Sequence, residues 1–255
     1  MSFDVARIPI LAWGSGFCGL AYQLAWIRAA QPLFGSSTSA VAVVLAAFIG
    51  GVGLGGLWLA GGEGGRAPAL KRYSALEFTI AVTAALSPVF LGMLVSMGMV
   101  TALGSIGPGM RTVLRVGLMA LIVGIPAFLM GGTFPALLRA GKMGEEQNEL
   151  AISNRLFLFN MVGALCGLIG TSFFFLEALG SSVTLWLVSV LNLGLSGSAA
   201  VGAAVKGPAQ RLVSVEDDEE EDLFSERPSA KKTRAVESVV EEAQEPPQPL
   251  PQTVN

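Results

Sequence analysis

GFCGLAYQLAWIRAAQPLFGSSTSAVAVVLAAFIGGVGLGGLWLAG, residues Gly16–Gly61, contains two apolar stretches of membrane length joined by a short polar connection. The first carries a polar and aromatic seam, Tyr22, Gln23, Trp26 and Arg28; the second carries a run of glycines. A hydrocarbon core about 30 Å thick is crossed by roughly 20 apolar residues in a helix, because backbone groups in lipid must pair within their own segment. The stretch therefore reads as a helical hairpin in a bilayer.

Composition extends that reading to most of the chain. Of 255 residues, 52% are hydrophobic and 14% charged, against about 25% charged in soluble domains. Mean hydropathy is +0.62. Charge is segregated: residues 1–205 hold ten basic and seven acidic side chains, residues 206–255 six and twelve. The acidic isoelectric point thus describes the tail. With no histidine and only Cys18 and Cys166, both in apolar runs, a zinc site or a histidine-based triad has no residues to build it. The two cysteines read as small apolar packing residues.

Six stretches have spanning length: Ile8–Ile27, Ser39–Ala60, Tyr73–Val95, Val113–Leu138, Leu156–Leu176 and Ser181–Val201. The first is longer than a signal-peptide core of about 7–15 residues and is followed at once by a second, so it reads as a retained span. The third continues weakly to about Gly107, and Pro88 and Pro126 are expected to kink spans three and four. With the N-terminus inside, nine basic residues (Arg7, Arg66, Lys71, Arg72, Arg139, Lys142, Arg155, Lys206, Arg211) fall on the cytoplasmic side. Three (Arg28, Arg111, Arg115) fall outside, which sets both termini in the cytoplasm. The domain plan is a six-helix membrane domain, 1–205, and a disordered acidic, Pro/Gln-rich cytoplasmic tail, 206–255, containing EDDEEED (Glu216–Asp222). Val236, Val239, Val240 and Ala243 have helical spacing there, but a solvated tail is the simpler reading.

Several constellations bear on chemistry. Ser15, Gly19, Tyr22, Gln23 and Trp26 share a stripe of the first helix, as either a polar binding surface in a cavity or a hydrogen-bonded contact between helices. Arg28 at the outer end reads as a snorkelling residue. Gly51, Gly53 and Gly56 match GxGxxG, but basic residues and a third span stand where a dinucleotide site needs a βαβ unit and an acid. Ala47, Gly51 and Gly55 instead repeat every four residues as a small-residue packing face, and Asn160, Gly163, Ala164, Gly167 and Gly170 repeat the device in the fifth helix. Glu77 is placed about one turn into the third helix, near the cytoplasmic face, with Arg72 or an interfacial lysine as a nearer partner than Arg28; an acid within a span is an anchor or a proton or cation site. Glu177 reads as a solvated loop acid.

These segments resemble a known family. SGF…YQLAWIR…FGSS (Ser15–Ser37), VLAAFIGGVGLGG (Val44–Gly56), SALEF around Glu77, PAFLMGGTFPALLR (Pro126–Arg139), FNMVGALCG (Phe159–Gly167) and LGSSVTLWLVSVLNL (Leu179–Leu193) are similar in order and spacing to the N-terminal membrane region of bacterial membrane-embedded, fused transporter-like spermidine synthase-like proteins. Phe157 stands where the family tends to have Tyr, and Met161 where it tends to have Thr, so two hydroxyls are absent. The family's aminopropyltransferase domain, with its Rossmann-like fold, has no counterpart after residue 205, and no catalytic residue, metal or cofactor is carried over. The resemblance implies an all-α membrane protein like half of a major-facilitator-type bundle, in the bacterial inner membrane. Its expected role is a transporter-like or scaffold module linked to polyamine metabolism, or the membrane anchor of a synthase whose catalytic domain is encoded elsewhere. The expected partners are the lipid bilayer and a second six-helix half, another copy of the chain or a soluble synthase domain, with no nucleic acid. Candidate substrate or helix-contact residues are Tyr22, Gln23, Trp26, Arg28, Glu77 and Asn160; Gly51, Gly55, Gly163 and Gly167 are packing positions.

Overall fold

The computed structural model describes residues 7–62, 65–96, 107–142 and 149–204, and every secondary-structure element among them is helical. The helices are α1 (Arg7–Phe34), α2 (Ser37–Leu59), α3 (Arg66–Ser96), α4 (Pro108–Lys142), α5 (Glu149–Gly170) and α6 (Leu176–Ala204). A five-residue π-turn, Thr171–Phe175, joins α5 to α6. By length and apolarity the bundle offers five candidate membrane spans, the last being the continuous 56-residue run Glu149–Ala204. The acidic tail and its short helical pattern lie outside the described residues.

Local chemistry sets the helix boundaries. Gly35 at φ 68°, a conformation that costs a Cβ-bearing residue about 1–2 kcal/mol, turns the chain after α1. Ser36 then caps α2, its hydroxyl accepting from Ser39 N–H at 3.2 Å. At its other end, α2 leaves carbonyls without intrahelical partners. Arg72 donates to the carbonyls of Leu59 (2.8 Å) and Gly61, and Arg139 to those of Ala60 and Gly62 (2.8 Å). Two guanidinium groups thus close four consecutive carbonyls at the negative end of the helix dipole. Arg72, expected beside Glu77, is committed here instead, because its long side chain reaches the end of α2.

α3 and α4 continue as helices through Pro88 and Pro126. Pro88 cannot donate to the carbonyl of Ala84, and the Ser87 hydroxyl takes over at 2.6 Å. The same hydroxyl accepts from Trp26 Nε1 at 2.8 Å, which ties the repaired turn of α3 to α1.

The main helix pairings are α1 with α5, α2 with α4, and α3 with α6. α1 is the least apolar of the candidate spans, with mean hydropathy 1.2 against 2.3 for α2, and the most enclosed, 61% of its window buried against 17%. This inverts the rule for water-soluble bundles. It is what an apolar solvent demands, since polar side chains escape it by turning inward. The outward faces carry Leu57, Trp58, Phe173 and Phe174, all well exposed.

Two glycine crossings set the helix spacing. A Cβ at Gly163 or Gly167 would run into the backbone of Trp13 or Phe17 on α1, and one at Gly16 into Asn160 on α5. A Cβ at Gly55 would strike Phe128 on α4, one at Gly51 would meet Ala127 Cβ at 2.8 Å, and one at Gly131 would strike Val52 on α2. Both crossings are backbone against backbone, the geometry that small residues permit in membranes. Gly170 is looser, with only ring carbons of Phe17 and Phe175 at 3.9 Å. Cys18 is buried as expected of a packing residue, whereas Cys166 faces outward.

Candidate functional site: a polar layer around Glu77

The interior is divided into two apolar clusters. One gathers Ile8, Leu11, Ala12, Leu70, Tyr73, Ala136, Leu156 and Ala203; the other gathers Tyr22, Trp26, Val44, Ile80, Met119, Val123, Leu185 and Val188. On α1, α3, α4 and α6 the chain passes from one cluster to the other through a buried or half-buried polar residue: Ser15, Glu77, Thr133 and Asn192, respectively. Four helices thus contribute to one polar layer inside an apolar bundle.

Glu77 lies within that layer and is 1% exposed. It stands eleven residues after Arg66, about 16 Å along α3, and four residues, or one turn, after Tyr73, where the apolar stretch begins. The helix begins well before the apolar stretch at Tyr73, because Arg66 and Arg72 lie on its first turns. Ser15, Tyr73 and Asn192 are the polar side chains that face its carboxyl group, while Oε1 is buried without a hydrogen-bond partner. The layer is otherwise knit together. Asn192 Nδ2 donates to the Glu77 backbone carbonyl at 2.9 Å, Tyr73 OH to Leu11 O at 3.3 Å, and Ser15 and Thr133 hydroxyls meet at 3.4 Å. One turn towards the Arg72 end of α3, Ser74 and Ser196 exchange hydrogen bonds with each other's backbone carbonyls at 2.9 and 2.8 Å.

The ion pairs among the described residues do not involve Glu77. They are Arg28–Glu177 at 3.6 Å and Lys142–Glu149 at 2.8 Å. Glu177 is exposed, as expected of a solvated acid, but it lies on a helix rather than in a loop, because α6 begins at Leu176 and carries it to Arg28 at the end of α1. With both side chains at least half exposed, the pair contributes at most about 1 kcal/mol.

The remaining seam residues separate by role. Tyr22 stacks on Trp26 (centroids 5.3 Å apart, 16° between planes) and donates to Ser189 Oγ at 3.2 Å. Trp26 is bound to Ser87 as described. Both are fully enclosed, and their polar atoms contact neighbouring helices. Gln23 is buried as well. Asn160 reaches the Ala12 carbonyl of α1 at 3.4 Å and stands beside the glycine crossing. Phe157 and Met161 point outward. The layer residues Tyr73, Thr133, Ser189 and Asn192 were not singled out by sequence; an asparagine in the apolar run SVLNL was the available signal.

Searches of protein-family models, curated proteins and solved structures find no match to this chain.

Proposed function

We propose that this chain is a transporter-like membrane module of six spans in which Glu77 takes up a proton or an organic cation. The observation that carries the reading is the state of Glu77: fully enclosed, with an unpartnered carboxylate oxygen and no ion-pair partner among the described residues. A carboxylate buried without a cation costs several kcal/mol, and the polar side chains of Ser15, Tyr73 and Asn192, with Oε1 left unpartnered, return only part of it. The carboxyl group therefore has two consistent states, protonated or paired with a cation that comes from outside the bundle. A site that alternates between them has the chemistry of coupled cation transport.

The finer architecture rests on three supports. Fifty-six residues of helix would extend roughly 84 Å, far beyond one bilayer. Gly180, at φ 75° and ψ 176°, breaks the run, and Leu156 shares a cluster with Ala199 and Ala203, which favours an outgoing and a returning span. Exchanging the first three helices with the last three converts the α2–α4 pairing into α5–α1 and leaves α3–α6 unchanged. That relation is expected of two three-helix repeats forming half of a major-facilitator-type bundle. The link to polyamines, substrates whose positive charge suits a carboxylate, rests on the family resemblance, as do the inner-membrane location with both termini cytoplasmic and a second half, second copy or synthase domain as partner.

The test is uptake of labelled spermidine by liposomes holding the full chain, with and without an imposed pH gradient. Gradient-dependent uptake that Glu77→Gln abolishes, with unfolding behaviour retained, is the expected result. No uptake under either condition, or uptake unchanged in Glu77→Gln, would overturn the proposal.

A further inference from the structure

A second feature lies at the opposite end of α4 from Arg139. Arg111 and Arg115 are one turn apart on α4, and in each the guanidinium Nε is buried with no hydrogen-bond partner. Neither takes part in an ion pair among the described residues. Helical spacing puts them on the same face as Leu118, Ile122 and Ile125, at i+3 to i+14. Those three side chains form one wall of a groove of about 470 Å³ between α3 and α4, with Leu86 and Phe90 on the other wall. The groove is almost wholly apolar and opens along outward-facing residues, Leu86, Phe90 and Ile125 among them.

Position along the helix fits the features together. Arg115 and Arg139 are 24 residues apart, about 36 Å of helix, a little more than a hydrocarbon core of about 30 Å. If Arg139 lies at one membrane surface, as its clasp on the end of α2 suits, Arg115 and Arg111 reach the headgroup level of the other. The apolar groove then begins where acyl chains begin. A free inorganic anion would use the two guanidinium groups and leave the groove unfilled. A phospholipid with an anionic headgroup uses both, its phosphate on Arg111 and Arg115 and an acyl chain between α3 and α4.

We propose that Arg111, Arg115 and the α3–α4 groove form a binding site for an anionic phospholipid. The site is separate from the Glu77 layer and does not depend on the transport reading. The experiment uses the full chain in a neutral detergent, with ligand binding followed by native mass spectrometry and by thermal unfolding. The probes are phosphatidylglycerol, phosphatidylcholine of the same acyl chains, and inorganic phosphate. Phosphatidylglycerol is expected to bind and stabilise preferentially, and the double variant Arg111→Gln/Arg115→Gln to weaken its binding on the order of 30-fold, from about 1 kcal/mol per arginine. Leu118→Trp, which fills the groove and keeps both charges, is expected to weaken it also, whereas Arg28→Gln is not. Equal binding of the two lipids, an equal effect of inorganic phosphate, or a preference retained in Arg111→Gln/Arg115→Gln would each overturn the proposal.

Discussion

Replacing Gly163 by alanine tests the packing that positions the polar layer. A Cβ there would lie 2.9 Å from Trp13 Cα and 2.7 Å from its carbonyl carbon, with the oxygen nearer still. Carbon atoms pack best at about 3.5–4.0 Å, so α1 and α5 must separate by roughly 1 Å at the crossing. The obstacle is backbone, and no rotamer change relieves it. Such a gap forfeits a quarter to a half of each dispersion contact it opens, and Gly16 and Gly167 lie in the same crossing. Overpacking of this kind costs about 1–3 kcal/mol, while alanine's better helix propensity offsets about 1 kcal/mol. A net loss of about 0–2 kcal/mol follows. Gly53→Ala is the internal control: no atom lies within 4 Å of its Cβ, so only the propensity gain applies. The propensity gain is common to both, so the two variants should differ by the overpacking cost, about 1–3 kcal/mol, in reversible unfolding of the full chain in mixed micelles, read by tryptophan fluorescence. Stabilities within 0.5 kcal/mol of each other (about a factor of 2 in equilibrium constant) would refute the backbone-contact argument.

Three further outcomes are expected. Ser87→Ala should cost about 1–3 kcal/mol, because it strips Trp26 Nε1 of its acceptor and re-exposes the Ala84 carbonyl; in a Pro88→Ala background, where the backbone N–H returns, a double-mutant cycle should show a smaller cost. Arg28→Gln should change stability by no more than about 1 kcal/mol, and the difference should fade as salt is raised in the same unfolding assay. Arg72→Ala combined with Arg139→Ala should speed amide hydrogen exchange in the last turn of α2 and leave α5 unchanged, as measured by mass spectrometry on peptic fragments.

Much of this architecture was legible because lipid imposes strong rules. Long apolar runs, the seam of α1 and the glycine spacing each follow from one constraint, that polar groups and close backbones must face protein. The start of α3 was less legible, because counting apolar residues places it at Tyr73. Arg66, Lys71 and Arg72 are helical too, and the long Arg72 side chain carries its charge to the carbonyls at the end of α2. The polar layer was half legible for a different reason. A serine or threonine in an apolar helix can bond a carbonyl of its own preceding turn, as Ser189 does to Leu185 at 2.8 Å and Thr79 does to Ala75 at 2.8 Å. Ser189 is buried and Thr79 exposed, yet their sequence signatures are the same. A glutamate has no such local solution, so Glu77 was the clearest sign of the layer, with Asn192 in the apolar run SVLNL a second.

The glycine crossings carry a regularity that the sequence conceals. Around α1–α5, Gly163 faces Trp13 and, three residues later on α1, Gly16 faces Asn160, three residues before Gly163. Around α2–α4, Gly55 faces Phe128 and, three residues later on α4, Gly131 faces Val52, three residues before Gly55. One reciprocal contact is built twice with the same offsets. The residues that match are both aromatic in one case, Trp13 with Phe128, and unlike in the other, Asn160 with Val52, since their backbone atoms make the contact. What recurs is the glycine and its register, because removal of a Cβ is the one feature the contact requires. The GVGLGG run of α2 and the GALCG run of α5 thus serve one purpose: they let two helix pairs close backbone to backbone, and that closure holds α1 against the polar layer in which Glu77 sits.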